Sequence, residues 1–298
     1  MKAIPAQGTQ ARVAVAAGGK VPILWLLIPF ALTGFLSGGA PVARNLPEGN
    51  TAPVSVRDNV VITTVCDNYA VQGGLTTQWG FAAVAMTPEV NILFDTGSDG
   101  HVLLSNMKKL NIDPKDINKV VISHVHMDHL GGLAEFLQAN SAVRIYIPAS
   151  FPDSIRHAIV SSGAQYQDVA GAVEIDEGIY TTGEMGAQPR EQSLIIDTSE
   201  GLVVVTGCAH PGIVNVVRRA TEVAPHKPIA LVIGGFHLQS ASAAELDKIM
   251  EDFRRLRVKK VAPSHCSGDR ARARFHAEYR NDYIAGGAGN VLAFREAE

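Results

Sequence analysis

At 298 residues and 46% hydrophobic, the chain holds enough apolar material for one large domain or two small ones, and its composition is not that of a disordered protein. The formal charge is −3: the first 43 residues contain Lys2, Arg12 and Lys20 with no acid, and the remainder carries 23 basic against 29 acidic residues. No Lys/Arg block stands out, which argues against a nucleic-acid partner, and three cysteines (Cys66, Cys208, Cys266) are too few and odd in number for a disulfide scaffold.

The N-terminus reads as an export segment. Val21 to Leu36 is a run of sixteen uncharged, mostly apolar residues, preceded only by positive charge and followed by Ser37-Gly38-Gly39-Ala40. Residues 1–43 are therefore expected to be a signal peptide, or an uncleaved signal anchor that spans the bilayer. In either case the domain lies in the periplasm or otherwise outside the cytoplasmic membrane. Any membrane contact runs through this segment alone. A buried hairpin is the plainer alternative, and Pro22 and Pro29 speak against a soluble core helix there.

Residues 44–59 are punctuated by Pro and Asn without a period and read as a linker; the domain is expected over 60–298. Val60–Cys66, Phe81–Met86 and Val90–Phe94 read as strands, with Gly73-Gly74-Leu75 as a flexible loop. The rhythm then alternates: helix from Val102 to Leu110, strand Val120–Ile122, helix Leu130–Ala139, strand Arg144–Ile147. After a middle region of short pieces the alternation returns. Strands are expected at Leu194–Ile196, Leu202–Thr206, Ile229–Ile233, Val258–Ala262 and Val291–Phe294, and helices at Ile213–Ala220, Ala243–Leu256 and Arg270–Tyr283. Two successive strand-then-helix halves imply two sheets packed face to face with helices outside.

Ionisable residues gather at the ends of these strands. The densest set is Ser123-His124-Val125-His126-Met127-Asp128-His129-Leu130-Gly131-Gly132, behind the strand at Val120–Ile122. His124 and His126 are two apart, so an extended segment aims both rings to one side. Asp128 and His129 follow at the start of the next helix and can face the same cleft. Imidazole with carboxylate suits a borderline divalent ion such as zinc. Two His plus one ligand from elsewhere leave an open position for water. Asp95, His210 and His265 end other strands. A helix cap by Asp128 would need no histidines.

These motifs resemble the metallo-β-lactamase fold superfamily. His124 to His129 fits its HxHxDH signature, Asp95-Thr96-Gly97 its upstream aspartate motif, and His210 and His265 its later ligands, over roughly Val60 to Phe294. The resemblance implies an α/β (α+β) fold, a four-layered αββα sandwich, with one or two divalent ions, zinc foremost. The first ion would sit at His124, His126 and His210 and the second at Asp128, His129 and His265, with Asp95 orienting a ligand from behind. Glu191-Gln192, the stretch Gly207 to Asn215, Gly234 to Leu238 and His265 to Gly268 are similar to a narrower, dihydropteroate-synthase-like branch. Some of its members are synthases joining a dihydropterin to ribofuranosylaminobenzene 5′-phosphate.

One departure is informative. Many members carry an aspartate after the fourth core strand that bridges both ions, but this chain reads Gly234-Gly235-Phe236-His237 and has no acid there. His237 is either a substitute ligand or substrate contact near the second ion, or a buried histidine bonded to backbone. Cys208 and Cys266 lie within two residues of proposed ligands. Each reads as a small buried residue, with a thiolate ligand or a disulfide as the alternative, and Cys66 reads as core.

The expected activity is hydrolysis of an ester, amide or phosphoester bond in a small molecule by a water that the ion acidifies, with Asp128 as the orienting base. Arg270, Arg272 and Arg274 beside a helix start make an anionic group on the substrate a candidate feature. The rivals are a synthase-type transferase and a non-catalytic metal or ligand binder. His126, standing where a carboxylate would better suit iron, argues against a redox di-iron role.

Overall fold

A computed structural model of the chain describes residues 59–295 and, for the backbone alone, Arg44–Asn45. The expected export segment and most of the expected linker lie outside the described residues.

In chain order the first part comprises β1 (Arg44–Asn45), β2 (Val60–Cys66), β3 (Ala82–Met86), β4 (Asn91–Phe94), α1 (Gly100–Lys109), β5 (Lys119–Val121), α2 (Met127–Leu130), α3 (Leu133–Ala139) and β6 (Arg144–Pro148). The middle region resolves into α4 (Asp153–Ser161), β7 (Gln165–Val169), β8 (Val173–Asp176) and β9 (Ile179–Thr181). Then follow β10 (Leu194–Thr198), β11 (Gly201–Thr206), α5 (Ile213–Val223), β12 (Ile229–Gly235), α6 (Ala243–Arg255), β13 (Lys260–Ser264), α7 (Asp269–Tyr279) and β14 (Val291–Phe294).

The strands form two seven-stranded sheets, in the orders β14-β2-β3-β4-β5-β6-β7 and β1-β8-β9-β10-β11-β12-β13. In each, an antiparallel part gives way to three or two parallel pairings: β4-β5-β6-β7 in one sheet and β11-β12-β13 in the other. The last strand does not join the second half. β14 returns to the first sheet and pairs antiparallel with β2, Val291 opposite Thr63 and Phe294 opposite Val60.

The central strands of both sheets are buried on both faces, and the alternation of side chains shows it. Ile62, Phe94 and Tyr146 from the first sheet meet Ile196, Val203, Val205, Leu231 and Ile233 from the second in a dry central layer. Val65, Leu93 and Val120 point the other way, onto Leu103 and Met107 of α1 and Phe136 of α3. Leu202, Val204 and Val232 face Val216 and Val217 of α5 and Phe253 of α6. Four layers, αββα, result. Each such fully buried side chain contributes about 1.5–3 kcal/mol, so the sandwich does not rely on the polar cluster at its edge.

Three boundaries shift for local reasons. The expected helix at Leu130–Ala139 is divided by Gly131-Gly132. A Cβ at Gly131 would lie 2.5 Å from Ser98 O, and one at Gly132 2.3 Å from Thr96 O, so only glycine lets this turn press onto the loop after β4. The expected strand from Val258 starts later, because Arg257 adopts a left-handed φ of 54° and Val258 N donates back to Phe253 O. The expected helix to Tyr283 stops at Tyr279, where Arg280 turns left-handed at φ 50°. No helix among the described residues is long and apolar enough to cross a membrane.

Candidate metal centre

The ends of β4, β5, β11, β12 and β13 lie along one edge of the sandwich, and each delivers polar residues there. Four non-glycine residues at these exits hold left-handed backbones: Asp95 (φ 58°), Ala209 (60°), His237 (54°) and His265 (49°). Such conformations cost of order 1–3 kcal/mol apiece and persist only where surrounding structure imposes them.

His124, His126 and His210 converge: one ring nitrogen from each lies within 4.8 Å of the others. His124 Nδ1 is bonded to Ser123 Oγ at 2.9 Å, which leaves Nε2 facing the cluster, 3.1 Å from His126 Nδ1. His210 Nε2 is buried and has no hydrogen-bond partner. Burial and the neighbouring imidazoles hold His124 far below the ordinary histidine range, and they lower His210 to about 4. Neutral imidazoles with unspent lone pairs are the form in which histidine binds a cation.

Beside them, Asp128, His129 and His265 form a second convergence, joined by Cys208. His129 Nδ1 is held by Asp95 Oδ2 at 2.7 Å, leaving Nε2 to the cluster, 3.5 Å from Asp128 Oδ2. His265 Nδ1 bonds Asn68 Oδ1 at 3.0 Å; its Nε2 lies 3.3 Å from Asp128 Oδ2 yet makes no hydrogen bond. Burial opposes charge on His129, but the carboxylates of Asp95 and Asp128 outweigh it and raise the group to about 10. Burial likewise opposes the Asp128 carboxylate, and the His129 and His265 imidazoles beside it hold it well below the usual range. With His129 raised in this way, a cation at this position would take the place of its second proton against the same carboxylates. Buried, unpartnered Nε2 atoms on His210 and His265 and a carboxylate between imidazoles fit a divalent ion at each position.

The support behind these groups explains the motifs. Asp95 accepts from Ser123 N (2.6 Å), Ser123 Oγ (2.7 Å) and the His129 ring, so one buried carboxylate sets both halves of the histidine run. Thr96 N and Oγ1 both donate to His129 O, at 2.8 and 2.9 Å, and pin the start of α2 to the loop after β4. Sequence reasoning did not assign four further residues. Glu191 accepts from Cys208 N (2.9 Å), Ala209 N (2.8 Å) and His210 N (2.8 Å), so it forms the floor of the loop that presents His210. Gln192 Nε2 donates to Ile122 O and Tyr146 O, tying that loop to the other sheet. Asp67 Oδ1 accepts His265 N, and Asn68 brackets His265 through its ring and its carbonyl. Glu191-Gln192 was visible only as a branch signature.

His237 is exposed and falls with His210 and Cys208, its ring 4.3 Å from that of His210, and not in the group formed by Asp128, His129, Cys208 and His265. A bond to Cys266 raises its pKa. All three cysteines are buried and free. Two of the three arginines expected to add charge are otherwise engaged: Arg272 stacks on Tyr69 at 3.7 Å, and Arg274 pairs with Asp247 and Glu278. A groove of about 590 Å³ runs from His237 between α5 and α6, lined by Arg218, Lys248 and Arg255 together with Glu245 and Asp252, and Arg218 and Arg255 both pair with Asp252. Trp79, 53% exposed, stands over the His265 ring at 5.1 Å, and Met127 is exposed beside the cluster.

The shifted imidazoles make a pH prediction for the metal-free protein. His124 and His210 are depressed, so their contribution to stability is present above the ordinary value of 6.5 and declines as pH falls towards 4. His129 is raised, so its contribution is present below 6.5 and declines as pH rises towards 10. Melting temperatures of chelator-treated protein should therefore peak at around pH 6.5, and a steady rise across roughly pH 5 to 9 would contradict these assignments.

The chain is similar to known proteins in sequence and in fold. The family description "Metallo-beta-lactamase superfamily" matches residues 81–222. The chain is 27% identical over 288 residues to 7,8-dihydropterin-6-methyl-4-(beta-D-ribofuranosyl)-aminobenzene-5'-phosphate synthase of Methanocaldococcus jannaschii, covering 80% of this chain and 97% of that protein. The crystal structure of a metal-dependent hydrolase of the beta-lactamase superfamily matches with TM-score 0.67 at 30% identity, over 80% of this chain and 100% of that one. YhfI of Bacillus subtilis, a metallo-beta-lactamase fold protein, matches with TM-score 0.59 at 12% identity over 79% of this chain and 100% of that one, a likeness of fold. With the strand-end histidines, the two-sheet sandwich and a 30% identical relative matched over its whole length, this chain belongs to the metallo-β-lactamase superfamily.

Proposed function

We propose that the protein is a metal-dependent hydrolase that holds one divalent ion at His124, His126 and His210 and a second around Asp128, His129 and His265. The observation that carries this is the pair of buried, unpartnered nitrogens, His210 Nε2 and His265 Nε2, each in a cluster of ligand-type atoms. Zinc suits the donor set, which mixes imidazole and carboxylate. When bound, such an ion supplies Lewis acidity to a water and to the substrate oxygen.

The chain's own residues do the positioning. Asp95 and Asn68 fix which ring nitrogens of His129 and His265 face the cleft, and Glu191 fixes His210 through its backbone. The Asp128 side chain is 20% exposed and stays ionised, so it can accept a proton from a water in the cleft and orient it towards an ester, amide or phosphoester group. Trp79 offers a ring face to an apolar part of the substrate. Lys248 in the groove offers charge to an anionic part, and His237 stands between that groove and His210.

The second reading is transfer, in which two substrate parts condense and water is not consumed. The match to the archaeal synthase over 97% of that protein favours it. Reaction in ¹⁸O-labelled water, against a panel of phosphodiesters, lactones and thioesters and against a dihydropterin with ribofuranosylaminobenzene phosphate, separates the two. One labelled oxygen in the product supports hydrolysis. A condensed, unlabelled product replaces it with transfer.

A further inference from the structure

We propose that Cys208 Sγ is a ligand of the second metal position, completing a four-donor set with Asp128, His129 and His265 in place of a bridging carboxylate. This rests on the metal reading above and concerns a donor that neither the motif nor the comparisons assign. Sγ, a carboxylate oxygen of Asp128 and ring nitrogens of His129 and His265 lie within 4.8 Å of one another. Sγ is 3.2 Å from His129 Nε2, the nitrogen that the Asp95 bond leaves to the cleft. The neighbouring His265 is 1% exposed and its Nε2 is without a partner, aimed into the same set. Cys208 also groups with His210 and His237, so its sulfur stands between the two metal positions.

The structure shows why the donor is sulfur and not an acid from β12. A Cβ on Gly235 would lie 2.3 Å from Gly207 O, 2.8 Å from Cys266 Sγ and 3.1 Å from His265 Cδ2. No side chain fits there without moving backbone. Cys208, by contrast, is 3% exposed with its own N–H fixed on Glu191, so its sulfur is already positioned and dehydrated. Charge closes as well: Asp128 carries one negative charge, and a thiolate supplies the second that balances a dication among neutral imidazoles. On binding, the S–H bond breaks, a metal–sulfur bond forms, His129 gives up its second proton at Nε2, and both protons leave to solvent. Cys266 lies beside Cys208, its thiol reaching Cys208 O at 3.7 Å and His237, but among the described residues it joins none of the three ligand groups.

Cobalt(II) titration of the chelator-treated protein tests this, because thiolate bound to cobalt gives a near-ultraviolet charge-transfer band that imidazole and carboxylate do not. The wild type should bind two equivalents and show that band with one of them. Cys208→Ser should keep the visible cobalt bands of the His124/His126/His210 site, lose the near-ultraviolet band, and weaken the other equivalent about 10- to 100-fold. Cys266→Ser should keep the band, which by itself assigns the sulfur even if the Cys208 variant folds poorly. Two equivalents bound by the wild type without the band, or a band that survives Cys208→Ser or vanishes in Cys266→Ser, overturns the proposal and leaves the metal reading standing. Failure to bind cobalt at all overturns both.

Discussion

Alanine in place of His126 should abolish turnover and lower affinity for the first metal equivalent more than about 100-fold, while the metal-free protein melts within a few degrees of wild type. His126 is exposed and belongs to none of the three apolar clusters, so its removal opens no cavity. Its Nδ1 faces His124 Nε2 at 3.1 Å, and without it only two rings remain, from β5's exit and the β11 loop. Two donors hold a divalent ion poorly, and the loss exceeds what a supporting hydrogen bond contributes. Metal analysis after dialysis and differential scanning calorimetry check the two halves separately. Retained metal with full activity would mean that the first cluster is not the metal position.

Glu191→Ala should be the more damaging substitution for folding, although Glu191 touches no proposed ion. Its carboxylate is 1% exposed and accepts three backbone N–H groups at 2.8–2.9 Å. Burial pushes its carboxyl up, and those three bonds oppose the shift. Truncation leaves two buried donors and one half-buried donor unpaired, at about 1–3 kcal/mol for each buried one, a large share of the roughly 5–15 kcal/mol that holds a typical domain. The loop from Gly207 to Gly212 should loosen, and His210 should lose its alignment with His124 and His126. Denaturant unfolding should show a loss of about 3 kcal/mol or more, with metal content falling in parallel. Glu191→Gln, which keeps one acceptor oxygen, should lie between the two. An alanine variant as stable and as metal-loaded as wild type would remove Glu191 from the account.

What could be read from the sequence follows the distance over which each group acts. The run from Ser123 to Gly132 declared itself because its donors are adjacent in the chain, and Asp95, His210 and His265 because buried strands end at each. The residues that hold them were hidden because their partners are remote: Asn68 reaches His265 across 197 positions and Gln192 reaches Ile122 across 70. The return of β14 to β2 was hidden for the same reason, since nothing local in Val291–Phe294 says which sheet edge it closes. The missing acid at Gly235 was visible as an absence, but the steric cause lies in the Gly207 carbonyl and the Cys266 sulfur, which only the folded chain brings there. Arg272 and Arg274 looked available in sequence and are occupied in three dimensions by Tyr69, Asp247 and Glu278.

Whether these strand ends hold metal can be seen by anomalous diffraction from crystals grown with zinc. One peak is expected among the rings of His124, His126 and His210 and a second among Asp128, His129, His265 and Cys208. Crystals that take up zinc elsewhere, with both clusters bare, would contradict it.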